Sequence, residues 1–502
     1  MLPLSIFTVE LGPENLLLLV SALIILSLMV SKIGFRFGAP ALLIVLLVGM
    51  AVGADGLGLS FDNYHSAEHL GHFAMGIILF AAGMETSFKE TRPIMKQGIL
   101  LSTLGVLLTI LITGAFVFLL SKHYLEGIFT TALGCFLLAA IISSTDSTSV
   151  FSILHNKRLH LRENLGPLLE FESGSNDPMA LSVTVLLVAL FSKTGTSIFS
   201  SLEGGLAVAI AAILMVLVQI ALGAAVGFGM GFAASWLLKK ITFNSPSISA
   251  IFILCLGLMS NGLADVIGGN GLLALYITAI LIGNKVDMGS QKRDVYKFFD
   301  SMSWLAQLLM FLMLGLLARP SQMHHVLVPA LLIGLFIMLV ARPLSVFLTL
   351  LPFRKLSFKA KVFISWVGLK GAGPILFALC PVVAGLDGSA EVFNMVFIIT
   401  LLSLIFQGMS LSGVARLLRL SYEEDPEVET FGMELPEEMG MLRDHIVSEE
   451  DLFNGATLRE LHLPHGIRVV MVKRDGKFLV PHGSMKLMDG DHLIIVMGET
   501  DD

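Results

Sequence analysis

Phe171-Glu172-Ser173-Gly174-Ser175-Asn176-Asp177-Pro178 sets two carboxylates, an amide and two hydroxyls between two stretches, Leu165 to Leu169 and Met179 to Phe191, that are apolar enough for lipid. An ionisable group at bilayer depth costs about 2.5 to 3.5 kcal/mol on insertion scales, so such groups persist where they line a cavity, pair up or bind something. Asp177 is therefore read as the centre of the protein's work. The alternative is a structural hydrogen-bond anchor for a kinked helix.

Composition sets the class around that stretch. Hydrophobic residues are 55% of the chain and charged residues 14%, where soluble globules carry about a quarter charged residues. A polytopic membrane protein with the lipid bilayer as its first partner follows. The formal charge of -7 comes largely from the C-terminal part, so it implies nothing about a ligand of the apolar part, and no nucleic-acid partner is expected. Cys135, Cys255 and Cys380 lie singly in apolar runs, with neither metal nor disulfide spacing, and read as small core residues. Without a basic region or small-residue cleavage site before it, the run from Leu16 to Val30 is expected to be a retained first span.

The apolar runs predict thirteen spans, near 14–31, 38–54, 69–85, 97–121, 128–151, 164–192, 204–238, 247–263, 270–284, 298–318, 326–351, 359–384 and 390–415. Short cytoplasmic loops collect Lys and Arg. Alternate loops of this chain hold 20 such residues on one side and 3, Lys122, Lys193 and Arg319, on the other. A span missed or invented in mid-chain would destroy that asymmetry. The expected topology is an outside N-terminus and a cytoplasmic C-terminus, in the cell (inner) membrane.

Thirteen spans admit two inverted six-helix repeats, spans 1–6 and 8–13. Such repeats place a transporter's site at mid-membrane, between discontinuous helices at matching positions. Spans 5 and 12 should then be broken. Span 5 contains Ser143-Ser144-Thr145-Asp146-Ser147-Thr148-Ser149, a polar run that an intact lipid-facing helix would not carry. Span 12 contains Gly368-Leu369-Lys370-Gly371-Ala372-Gly373-Pro374. An anion at one break and a cation at the other are placed to offset the half-helix dipoles; Asp146 reads equally as a cation ligand. The fold class is all-α and polytopic, with two discontinuous crossing helices.

Thr145-Asp146, Glu172-Ser173-x-x-Asn176-Asp177 and Trp366-Val367-Gly368-Leu369-Lys370-Gly371 resemble motifs of the monovalent cation/proton antiporter-1 family, the NhaP-like Na+ or K+/H+ exchangers, across residues 10–415. The resemblance implies that Asp177 carries either the cation or the proton. It implies that Thr145, Asp146 and Ser173 shape the cation site, and that Glu172 forms an ion pair with Lys370. Many relatives have arginine where this chain has Lys370, and lysine is a point charge rather than a planar fork.

The residue types support the same chemistry. Removal from water raises a carboxyl's proton affinity and nearby cations lower it, so one group can trade a proton for a metal ion near neutral pH. Asp177, Asp146, Ser173 and Thr145 offer only oxygen, which suits hard alkali ions. Asn176 cannot titrate, and a Glu172 neutralised by Lys370 leaves one proton exchanged for one cation, an electroneutral cycle. No resident cofactor or enzymatic activity is expected. A cation channel, or a non-transporting membrane sensor gated through the C-terminal domain, is the alternative. No Gly-Tyr-Gly-like filter loop supports the channel.

Three further features have two readings each. His65, His69 and His72 share helical spacing and read as a solvated face ahead of a pH sensor. Gly223, Gly227 and Gly231 form a small-residue stripe that seats either a homodimer seam or a neighbouring helix. After the membrane domain (1–420), the stretch 421–440 holds eight acidic and no basic residues with Pro426 and Pro436, an acidic linker. Strands are predicted at 441–447, 468–472, 477–480 and 492–497, with a short helix at 456–461 and an Asp475-Gly476 hairpin turn. This small α+β cytoplasmic domain (441–502) resembles the TrkA-C (RCK-C) regulatory domain of potassium channels and transporters. The resemblance implies dimerisation and a small-molecule effector, and it tilts the transported ion toward K+; the other reading of the tail is a passive stability or assembly domain.

Overall fold

The structure, a computed structural model, describes residues 13–34, 40–59, 61–124, 129, 131–156, 159–192, 205–241, 243, 245–423, 442–447, 457–460, 467–474 and 477–497. Eight helices among them are long and apolar enough to cross a membrane, from Tyr64–Glu85 to Ser389–Leu417, and shorter apolar helices accompany them. The chain is a multi-pass membrane protein. It divides into two compact units, Met1–Tyr422 and Glu423–Asp502.

In the first unit the helices pack as two groups. One joins Pro13–Gly34, Ala41–Val52, Tyr64–Glu85, Gly205–Lys240, Pro246–Val266, Gly271–Lys285 and Lys292–Leu317. The other joins the continuous run 95–124, Ala132–Ile141, Leu165–Phe191, the run 327–349, and Ser389–Ser403 with the segments that cross beside it. Residues without a Cβ let backbones approach closely. A Cβ on Gly223 would stand 2.5 Å from the Asn270 carbonyl oxygen, one on Gly227 2.8 Å from that of Ala274, and one on Gly231 2.5 Å from Leu281. The glycine stripe is therefore filled by helix Gly271–Lys285 of the same chain, which removes it as a homodimer seam.

Both expected breaks are present. Helix Ala132–Ile141 ends before Ser143 and Ser147–Asn156 begins after Asp146; helix Phe358–Trp366 ends before Gly368 and Ala372–Val383 begins after Gly371. The two extended segments meet, the Asp146 N–H donating to the Leu369 carbonyl at 2.8 Å. A backbone donor stripped of its helical partner in a dry interior must find another. Here the donor in the first break finds its acceptor in the second.

The second unit is a four-stranded antiparallel sheet of β1 (Leu442–Ile446), β2 (Ile467–Arg474), β3 (Lys477–Leu479) and β4 (His492–Met497), in the order β1-β4-β2-β3. Arg474 stands opposite Lys477, and the register of β2 against β4 shifts between Val469 and Met471. Val447, Val472, Leu487, Leu493 and Ile495 form its core. The short helix expected at 456–461 is corrected: residues 457–460 make a turn, and Thr457 bridges to Lys486, pairing that a helix would forbid. Asp475-Gly476 and residues 424–440 of the acidic linker lie outside the described residues.

Candidate cation and proton site

Helix Leu165–Phe191 carries the quoted stretch, with Pro178 in its interior. A proline there has no N–H for the carbonyl four residues back, so the Gly174 carbonyl is left without its helical donor, beside Asp177. The helix is fixed to the break before Ser147 by side chains. Ser173 Oγ donates to the Thr145 carbonyl at 2.7 Å, and Asn176 Nδ2 donates to Thr145 Oγ1 at 2.5 Å. Ser144 Oγ donates to Asp177 Oδ1.

Asp146 faces the same place from the break itself. Its Oδ1 accepts from the Ser149 N–H at 3.1 Å and its Oδ2 from Ser149 Oγ at 2.6 Å. That is an N-cap geometry, with a carboxylate at the positive end of Ser147–Asn156. Lys370 does the reverse. Its Nζ donates to the carbonyls of Ser144 at 2.8 Å and Ser143 at 3.2 Å, just past the negative end of Ala132–Ile141. Its backbone N–H donates to Ser403 Oγ at 2.8 Å.

The expected Glu172–Lys370 pair is corrected. The carboxylate of Glu172 accepts from Arg342 Nη2, with both side chains buried. Arg342 follows a π-helical turn, Ile337–Ala341, which aims it inward, and a planar fork of donors suits a carboxylate better than an ammonium does. Arginine inside the apolar run 326–351 was the signal: an intramembrane cation needs a partner.

Asp177, Asp146, Ser173, Ser144, Gly174 and Gly373 line one cavity. Its other wall is Met75, Leu79 and Ala82 with Gln307 and Phe311, from the first helix group. The cavity therefore lies between the two groups. Thr145 and Asn176 are not among its lining residues; Thr145 accepts from both Ser173 and Asn176 and so holds the helix that carries Asp177 against the break. Ser144 and Gln307 complete the polar lining and were not singled out in the sequence, although Ser144 lay in the polar run. The polar groups offered are oxygens and one amide, which suit a hard alkali ion.

Residues 18–417 match the transmembrane sodium/hydrogen exchanger family. The chain belongs to that family. Residues 442–501 match the TrkA-C domain. Among relatives of this exchanger, the K(+)/H(+) antiporter NhaP2 of Shewanella oneidensis is 36% identical over 500 residues, 97% of this chain and 81% of the relative. The K(+)/H(+) antiporter NhaP of Alkalimonas amylolytica is 34% identical over 506 residues, 97% and 82% of the two chains. The sodium proton antiporter MjNhaP1 from Methanocaldococcus jannaschii shares the fold, with a TM-score of 0.64 at 22% identity over 78% of this chain and 99% of that one. The relatives named here are transporters.

Proposed function

We propose that the protein is a secondary active antiporter that exchanges K+ or Na+ for H+ across the cell (inner) membrane, serving pH and cation homeostasis. One observation carries the reading: a carboxylate, Asp177, faces a cavity between two helix groups at the crossing of two broken helices. Proton and alkali ion compete for it. Asp146 and Ser173 supply further oxygen, Thr145 and Asn176 position them, and K+ is favoured by the names of the relatives with matching tails.

The cycle is electroneutral. Arg342 neutralises Glu172, and Asp146, Asp177 and Lys370 sum to one negative charge, which one proton or one monovalent cation cancels. The same reading takes thirteen spans in inverted six-helix repeats, an outside N-terminus, and a division into an exchanger domain (1–420), a linker (421–440) and a regulatory domain (441–502). The charge asymmetry of the loops and the break in each half support it. The exchanger is a homodimer whose seam uses surfaces other than the glycine stripe, and its tail takes a small-molecule effector.

Dequenching of a pH-sensitive dye in everted vesicles, with K+, Na+, Rb+ and Li+ added in turn, tests the exchange. Asp177→Asn should abolish the signal while the protein remains folded and inserted. Undiminished exchange in that variant, or cation flux with no proton movement, would sink the reading.

A further inference from the structure

Glu68, His72 and Cys380 stand together outside the Asp177 cavity. One ligand atom from each, a carboxylate oxygen, an imidazole nitrogen and the thiol sulfur, lies within 4.8 Å of the others, and among the described residues no other group of three such side chains comes together. Glu68 and His72 are one helical turn apart on Tyr64–Glu85 and so share a face. Cys380 comes from Ala372–Val383, which packs on that helix so closely that a Cβ on Gly71 would stand 2.2 Å from Leu376 Cδ1.

Oxygen, nitrogen and sulfur in one cluster do not suit an alkali ion. They suit a borderline metal such as zinc, with bonds of about 2.0 to 2.3 Å and therefore tetrahedral ligand separations of about 3.3 to 3.8 Å. The ligand atoms, now within 4.8 Å of one another, would draw together by about 1 Å to reach that spacing. Three protein ligands leave a fourth position for water. Entry is provided by His72 itself, which is only partly buried and lines a polar cavity with His69, Gln219, Asn261 and Asp265.

We infer that Glu68, His72 and Cys380 form a zinc site whose occupancy arrests exchange by tying the two helix groups together. Glu68 and His72 belong to the group that forms the wall opposite Asp177 in its cavity. Cys380 lies on the half-helix that starts at the crossing, seven residues beyond the Gly373 that lines the same cavity. Alternating access requires one bundle to rock against the other, and a metal bonded to both opposes that motion. On binding, the thiol proton leaves to solvent as the sulfur–metal bond forms. In the proposed topology the cluster opens on the outer face. The binding claim stands by itself, whereas the arrest rests on the antiport reading.

The full-length protein in detergent would be titrated with Zn2+ by calorimetry, and with Co2+ by absorption, where a thiolate-to-cobalt charge-transfer band reports the Cys380 bond directly. One equivalent should bind, and Cys380→Ser, His72→Gln and Glu68→Gln should each weaken it at least tenfold, with the band lost in Cys380→Ser. In proteoliposomes, Zn2+ should inhibit exchange at least tenfold, a chelator should restore it, and Cys380→Ser should exchange normally with or without Zn2+. Absence of stoichiometric binding, a missing charge-transfer band in the wild type, or unchanged affinity in all three variants would overturn the site. Binding with the band present but no inhibition of an active exchanger would overturn the arrest alone. Protein inactive without metal counts against the antiport reading, while the detergent titration still decides the site.

Discussion

Arg342 donates to Glu172 with side-chain exposures of 3% and 1%. The pair ties Leu165–Phe191 to Arg342–Thr349, which fixes the helix that carries Asp177. Removing one partner of a buried pair leaves an uncompensated charge and costs about 3 to 5 kcal/mol, whereas replacing both costs much less. Glu172→Gln and Arg342→Gln alone should each lower the thermal unfolding midpoint in detergent sharply, and the double variant should recover most of the loss. Equal loss in the single and double variants would show that the pair does not act as a unit.

Asn176 sits against Thr145, where a second carboxylate would be one residue from Asp177. Asn176→Asp should let a second proton oppose one cation, so net charge moves in each cycle. A membrane potential acts on a moving charge with about 2.3 kcal/mol per 100 mV. Initial rates in proteoliposomes at imposed potentials should be flat for the wild type and steep for the variant. A steep wild-type response would refute the electroneutral cycle.

Gly371 lies where the broken helices cross, and a Cβ there would stand 1.9 Å from Asp146 Oδ2. Gly371→Ala must push the Asp146 carboxylate or the crossing backbone aside. A misplacement of about 1 Å can cost on the order of a hundredfold, so exchange at low cation concentration should fall by about that factor with normal expression. Wild-type cation affinity in the variant would show that Asp146 is not part of the site.

Asp491 in the tail is 1% exposed. Burial pushes its carboxyl up, but Arg474, which donates Nε to Oδ1 at 2.8 Å and Nη2 to Oδ2 at 2.6 Å, and the Met488 N–H at 2.8 Å outweigh that and hold it below the ordinary carboxylate range. A depressed carboxyl stabilises the fold above its unfolded value, near pH 4, and that stability is lost as pH falls through the lower folded value. Hydrogen exchange of β2 and β4 in the full chain should stay slow from neutral pH down to about pH 4, once corrected for intrinsic rates, and accelerate below. Arg474→Ala should accelerate it already at pH 7, by about 1 to 3 kcal/mol of lost protection.

The residues decided a great deal before any packing was known. Apolar runs long enough to cross lipid, interrupted at Ser143–Ser149 and Gly368–Pro374, state by length and by cost where helices run and where two of them break. Asp146 and Asp177 were legible because a carboxylate in such a run needs a reason to be there. The tail's alternating strands were legible from period-two patterning, but the turn at 457–460 was not, because its bridge to Lys486 is made across 29 residues.

Partner choice was decided only in three dimensions. Two cations, Lys370 and Arg342, stand in the apolar chain, and no local pattern says which one meets Glu172. The crossing of the broken helices puts the Lys370 ammonium at the carbonyls of Ser143 and Ser144, and the π-helical turn at Ile337–Ala341 delivers Arg342 to the carboxylate. The glycine stripe was settled in the same way, by the helix that fills it. Hydrophobic length and the cost of buried charge are properties of a residue and its neighbours along the chain, so the sequence alone states them. Which donor reaches which acceptor depends on how helices far apart in sequence cross, and that the packed bundle decides.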